Sequence, residues 1–180
     1  MTRSLHHFGH RLKYVTIVVM KTYRMLNLSI VFLALTCLVE SAGAASWNGI
    51  EPFKSRRPDV ERILGKPTSG ESDGSLHFKV AGGTAIVSFV DDRLVATKKL
   101  RRDLVGTVLE IVLQHESSSD TPDSMGLAKN RAFERDDTQN ASIFRNLKTG
   151  ILYTFFNGKL RTTRFTFSAD QITHARRAGR

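Results

Sequence analysis

The chain has 180 residues, a formal net charge of +10 and a single cysteine, Cys37. That length fits one ordinary domain plus a targeting segment. A lone cysteine excludes an internal disulfide framework, and the charge points towards anionic partners.

The N-terminal part reads as an export signal. Residues 26–39, "LNLSIVFLALTCLV", are mostly apolar, and basic residues precede them at Arg3, Arg11, Lys13, Lys21 and Arg24. Ala42-Gly43-Ala44 then supplies the small-x-small pattern of a cleavage site, so residues 1–44 are predicted to be a secretory signal peptide. A start at Met20 gives the same signal more ordinary proportions. The apolar run is shorter than the ~20 residues of a spanning helix, although an uncleaved membrane anchor through residues 26–39 is the alternative. Cleavage after Ala44 leaves no cysteine in the mature chain. Five basic residues and one acid lie in residues 1–44, which leaves the remainder at +6. The expectation is an exported protein, periplasmic or extracellular. Export argues against nucleic acid as the partner and favours another envelope protein or an anionic envelope component such as lipid or glycan.

The stretch "WNGIEPFKSRRPDVERILGKP" opens the mature chain. Val60, Ile63 and Leu64 share one helix face. Ser55 is the predicted cap, Pro58 fits a first turn, and Asp59 and Glu61 sit where the helix dipole favours acids. Gly65 and Pro67 end the helix. Trp47 reads as a core plug for this segment, with contact to a partner as its other use.

Strand patterns follow at 76–80, 84–90 and 106–115, with Asp91-Asp92 as a turn and "ATKKLRRD" as a basic loop. After a polar loop comes a helical candidate at 125–133. Strands at 142–148, 150–156 and 159–167 complete the pattern. Asn157-Gly158 signals a two-residue hairpin turn, because both positions need positive φ. Residues 171–180 read as a basic flexible tail.

An ungapped overlay of 76–94 on 142–160 matches Phe78 with Phe144, Phe89 with Phe155 and Leu94 with Leu160. It suggests a duplicated α-β-β-β unit with halves at about 50–115 and 121–168. The predicted class is α+β: a single domain over 45–170, mainly antiparallel sheet with two short helices.

These residues also carry a resemblance. The 47–67 stretch, "GTVLEIVL" (106–113) and "NLKTGILY" (146–153) are similar to a family of uncharacterised exported bacterial proteins. A helix ending in Leu-Gly-x-Pro before a three-strand meander loosely resembles the small outer-membrane-assembly lipoprotein and the β-lactamase-inhibitor protein. The resemblance implies a binding or structural role without chemistry. The chain departs from the lipoproteins at Cys37, which follows Thr36, and it has no second Leu-Gly-x-Pro.

No catalytic constellation, metal motif or cofactor motif is legible. Asp91-Asp92 suits acid/base work or cation binding, but Asp also suits turns. His77, His115 and His174 lack H-E-x-x-H or i, i+4 spacing. A small hydrolase or carbohydrate-active enzyme would have to use His115, Glu116 or the Asp pair. Binding candidates are Trp47, Arg56, Arg57 and the basic run Lys98, Lys99, Arg101 and Arg102, which would suit anionic lipid or glycan. The leading expectation is a non-enzymatic extracytoplasmic binding or envelope-structural module.

Overall fold

The computed structural model describes residues 44–70 and 74–177. The predicted signal peptide lies outside the described residues except for Ala44. The described residues belong to one compact unit. It is α+β, as its patterning predicts: the described residues form an eight-stranded antiparallel sheet with three α-helices. In chain order these are α1 (Arg57–Leu64), β1 (Ser69–Gly70), β2 (Ser75–Val80), β3 (Gly83–Phe89), α2 (Asp92–Lys98), β4 (Val108–His115), β5 (Glu134–Asp137), β6 (Ala141–Asn146), β7 (Ile151–Phe156), β8 (Lys159–Thr166) and α3 (Ala169–Arg177). No helix among the described residues is long and apolar enough to cross a membrane.

The sheet order is β1-β2-β3-β4-β8-β7-β6-β5. Each half contributes its last strand to the centre, where β4 and β8 pair antiparallel from Glu110–Thr166 to Gln114–Thr162. Alternation then sorts the side chains. One row across seven strands reads Phe78, Ala85, Leu113, Thr163, Tyr153, Phe144 and Arg135. That face is covered. Over β2 to β4 lie Val60, Ile63 and Leu64 of α1 with Ile50 and Trp47. Over β6 to β8 lie Met125, Leu127 and Phe133. Fully buried Phe78, Phe144 and Phe155 anchor the two patches, each contributing about 1.5–3 kcal/mol of transfer free energy. Phe144 and Phe155 meet edge-on at 5.7 Å.

The adjacent row on the other face reads His77, Ile86, Val112, Arg164, Leu152, Arg145 and Glu134. None of its residues is buried. One apolar and one wetted face is the usual economy of antiparallel sheets.

Several local expectations are corrected. Three α-helices form, not two. Asp91-Asp92 is no hairpin turn: Asp91 caps α2, its Oδ1 accepting from the Leu94 amide at 2.7 Å. Residues 92–98 of the supposed turn and basic loop are therefore helical. The α1 cap is Arg56 rather than Ser55. Ser55 is buried and its Oγ accepts from the Glu51 amide at 2.9 Å, while Asp59 reaches back to the Arg56 amide at 3.0 Å. The 125–133 candidate shrinks to one 3₁₀ turn, Leu127–Lys129. The expected tail is helix α3 up to Arg177, with Ala175 buried.

The repeat overlay matches strand order and one buried pair, Phe78 with Phe144, but Phe89 is only half-buried where Phe155 is fully buried, and the strand pairing differs. Phe78 pairs with Ala85, whereas Phe144 pairs with Tyr153, two residues beyond Ile151, the overlay's equivalent of Ala85. Leu94 lies in α2 and Leu160 in β8. Asn157-Gly158 does make the hairpin turn, at φ 50° and 72°.

The β6–β7 turn generates a stability prediction. Gly150 sits at φ 77°, and a Cβ there would lie 2.1 Å from the Thr166 carbonyl oxygen. Gly150→Ala should destabilise the domain by about 2–4 kcal/mol in urea unfolding, through both strain and backbone collision. A change within about 0.5 kcal/mol, the range of an ordinary surface substitution, would contradict this turn geometry.

Candidate functional site

The antiparallel β4–β8 pair sets the chain entering β4 beside the chain leaving β8. Two distant basic segments, the 98–105 loop and α3, meet there. The loop is held from within. Lys99 closes α2 in the left-handed region at φ 53°, and the Leu100 amide donates to Val95 O at 3.0 Å. A 3₁₀ turn follows at Arg102–Leu104, and the buried Thr107 hydroxyl donates to Leu104 O at 2.6 Å. Val90, Val95, Leu100 and Leu104 pack with Ala175 of α3 in one apolar cluster.

Ser168 and Gln171 start α3 as a capping box. The Gln171 amide donates to Ser168 Oγ at 3.1 Å, and the Ser168 amide donates to Gln171 Oε1 at 2.9 Å. Such a box satisfies two amides that a helix start otherwise leaves bare. Gln171 also donates from Nε2 to Pro52 O at 3.0 Å, tying α3 to the N-terminal segment. The Arg101 amide donates to Ala175 O at 3.1 Å. That bond fastens the basic loop to the basic end of α3.

The predicted site residues divide accordingly. Lys98, Lys99 and Arg102 are exposed, and no ion pair is formed by them among the described residues. Arg101 pairs with Asp103, its Nε donating to Oδ1 at 2.9 Å and a second nitrogen contacting Oδ2. These hydrogen bonds hold the Asp103 carboxyl below its ordinary range and the Arg101 guanidinium above its own. Arg56 joins from α1: its two terminal nitrogens donate to Val105 O at 3.0 Å and Asp103 O at 2.8 Å. Arg176, exposed and next to the Ala175 junction, is a contributor that reading 171–180 as a tail concealed.

Arg57 and Trp47 are not part of this assembly. Arg57 Nε donates to Glu61 Oε1 at 2.8 Å along α1. Trp47 is half-buried against the main core. A tight turn returns the chain from it to Ile50, with amide-to-carbonyl bonds of 3.1 and 2.9 Å and Asn48 and Gly49 at φ 51° and 79°. This is a second Asn-Gly turn of the Asn157-Gly158 kind.

Beside the cationic surface lies a cleft of about 410 Å³ between the 51–54 turn, Arg101, Leu104 and α3. Phe53, Leu104 and Ala175 give it apolar walls, and Glu51, Lys54, Arg101, Asp170 and His174 give it polar ones. Glu51 and Lys54 form an ion pair at 2.5 Å. His174 Nδ1 donates to Asp170 O at 2.7 Å. Phe53 adopts φ 61°, in the left-handed region, and its ring stacks on Phe167 at 4.8 Å and 11°.

The catalytic candidates do not converge. Asp91 is occupied as a helix cap, and Asp92 is exposed in the first turn of α2. Glu116 pairs with Lys79 at 2.6 Å on the surface. His115 Nε2 lies 2.9 Å from Thr163 Oγ1 on the covered face of the central strands. His77 lies on the open face, 3.3 Å from Ser75 Oγ. Among the described residues there is no group of three or more His, Cys, Asp or Glu side chains arranged to hold a metal ion. The chain matches no family model, no curated protein and no solved structure.

His115 generates a pH prediction. Burial lowers its pKa, and the nearby Asp120 charge only partly opposes this. A histidine with a depressed folded-state pKa contributes stability that is present above the unfolded value of about 6.5 and is lost as pH falls through the folded value. Taking the protein from pH 7 to pH 5 should therefore lower the Tm of the wild type more than that of His115→Gln. Equal acid shifts in the two proteins would show that His115 is not desolvated.

Proposed function

We propose that the protein is an exported, non-enzymatic binding module that engages an anionic glycan of the cell envelope through the cationic surface formed by Lys98, Lys99, Arg101, Arg102 and Arg176. The observation that carries this reading is the Arg101–Ala175 backbone bond at 3.1 Å, which joins two basic segments more than seventy residues apart into one patch. Such a patch gives long-range attraction and salt-dependent affinity for polyanions. Three of its cations are exposed without an ion pair among the described residues, so a ligand need not displace a protein acid to reach them.

A glycan is favoured over a membrane surface by the apolar residues. Peripheral membrane binding needs exposed apolar groups that enter the headgroup boundary. The exposed large hydrophobics among the described residues are Leu147 and Phe156, and neither belongs to this patch. Export is supported by the position at which the folded unit begins. The Ala45 amide donates to Thr149 O at 2.7 Å, directly after the Ala42-Gly43-Ala44 sequence pattern, so the chain joins the fold just beyond the predicted cleavage point. Cleavage after Ala44 would turn that amide into an ammonium that can still donate to the same carbonyl.

Two experiments test the proposal. N-terminal mass spectrometry of protein recovered from the envelope should find Ala45 as the first residue; an intact residue 20–44 segment would remove the cleaved-signal reading in favour of an uncleaved anchor. Binding to polygalacturonate should weaken steeply with added salt. The triple variant Lys98→Glu, Lys99→Glu, Arg102→Glu should bind at least tenfold more weakly with an unchanged Tm. Equal binding to neutral dextran, or an unaffected triple variant, would refute the cationic surface as the contact.

A further inference from the structure

We propose that the cleft beside the cationic surface receives one pyranose ring of that glycan. The inference rests on the reading of the protein as a glycan-binding module, and its residues share only Arg101 with the cationic surface. Its size, about 410 Å³, lies within the roughly 300–1,000 Å³ of small-ligand sites.

The lining chemistry selects the ligand. Lys54 and Arg101 are balanced by Glu51 and Asp170, and both cations are already committed to ion pairs, Lys54 with Glu51 and Arg101 with Asp103. A free anion gains little from such a charge-balanced wall. Vicinal hydroxyls suit it, because each both donates and accepts. Carboxylates of Glu51 and Asp170 accept, and nitrogens of Lys54 and Arg101 donate. His174 already donates from Nδ1 to Asp170 O at 2.7 Å, which leaves Nε2 as the ring's second polar atom. Phe53, Leu104 and Ala175 offer the apolar wall that the C–H face of a pyranose packs against.

The backbone supplies an independent pointer. A bulky residue at φ 61° is a genuine outlier, with a cost of about 1–3 kcal/mol. Among the described residues the other positive-φ positions besides glycine are Asn48, Lys99 and Asn157, all exposed at turns or a helix end. Only Phe53 combines the strain with a cleft. It persists because its surroundings fix it: the Phe53 amide donates to Val108 O at 2.7 Å, Pro52 O accepts from Gln171 at 3.0 Å, and the ring stacks on Phe167. Glycine would take this conformation without strain. An aromatic ring held here at a cost gives the cleft its aromatic wall, and one face of that ring is already covered by Phe167.

Saturation-transfer NMR with cellotetraose, chitotetraose and tetragalacturonate, and tetra-alanine as the control, tests the inference on the full protein. At least one tetrasaccharide should receive saturation at its ring protons, with none reaching tetra-alanine. Phe53→Gly suits φ 61° and removes the ring, so it should keep the fold by circular dichroism and lose the signal at least fivefold. Should Phe53→Gly fail to fold, Asp170→Asn, at an exposed position, should weaken the signal at least threefold. The Lys98→Glu, Lys99→Glu, Arg102→Glu variant should keep binding to a neutral tetrasaccharide, which separates failure of the cleft from failure of the cationic surface. Silence from all three sugars, undiminished binding by both cleft variants, or saturation of tetra-alanine would overturn the assignment.

Discussion

The antiparallel pairing of β4 with β8 is the constraint on which the rest of the molecule depends. It joins the two halves of the sheet through a ladder that runs from Glu110–Thr166 to Gln114–Thr162. Because the strands run in opposite senses, the start of β4 and the end of β8 fall at the same edge. The N-terminal segment is fastened there too: the Val108 carbonyl accepts from Phe53, and the Val108 amide donates to Ser55 O, both at 2.7 Å. One strand end thus gathers three segments, residues 44–55, the 98–107 loop and α3. The cationic surface and the cleft are built from these segments, with Arg56 at the start of α1 and the cap residue Ser168.

Much of this architecture is legible in the sequence because period-two alternation forces a register. In "KLRTTRFTF", Thr163 is buried on the covered face while its neighbour Arg164 is exposed on the other, as pleating demands, and a register shift opposite Thr154 and Phe155 brings Leu160 to the covered face as well. The Asn157-Gly158 turn is legible because only a few residues tolerate positive φ at two consecutive positions. The Asn48-Gly49 turn carries the same signal, but the strand-like flanks that normally accompany it are absent. Asp91-Asp92 misleads because Asp serves turns and helix caps equally well. The difference is tertiary: Leu94 and Val95, just downstream, find an apolar cluster to dock on, which no local pattern announces. Strand β5, "ERDD", has no apolar side chain at all, so alternation cannot reveal it. It pairs with β6 through its backbone, helped by an Arg145–Asp136 ion pair at 2.8 Å and by Arg135 over the Phe144 ring.

The site is legible only in part. The run Lys98 to Arg102 is visible as a charge cluster. Its union with Arg56 and Arg176 is a tertiary fact, set by backbone acceptors on Asp103, Val105 and Ala175. The α3 cap is written in plain form as Ser168-Ala169-Asp170-Gln171, a Ser-x-x-Gln capping box. A basic, polar C-terminus masks it, and with it the cleft that α3 closes. Phe53 has no sequence signal, since nothing in "EPFKS" marks a left-handed phenylalanine. Cationic patch and cleft make different physical contributions. The patch supplies attraction that salt screens, and the cleft supplies shape and hydrogen-bond selectivity that salt leaves largely intact.

The most direct test is an amide NMR titration of the protein with a tetragalacturonate fragment at low ionic strength. Shifts should be confined to residues 98–105 and 170–177 and to the 51–54 turn, three segments that only the β4–β8 pairing brings together. Shifts on the open sheet face around Ile86, Val112 and Leu152, or none at saturating ligand, would contradict a site built on that strand end.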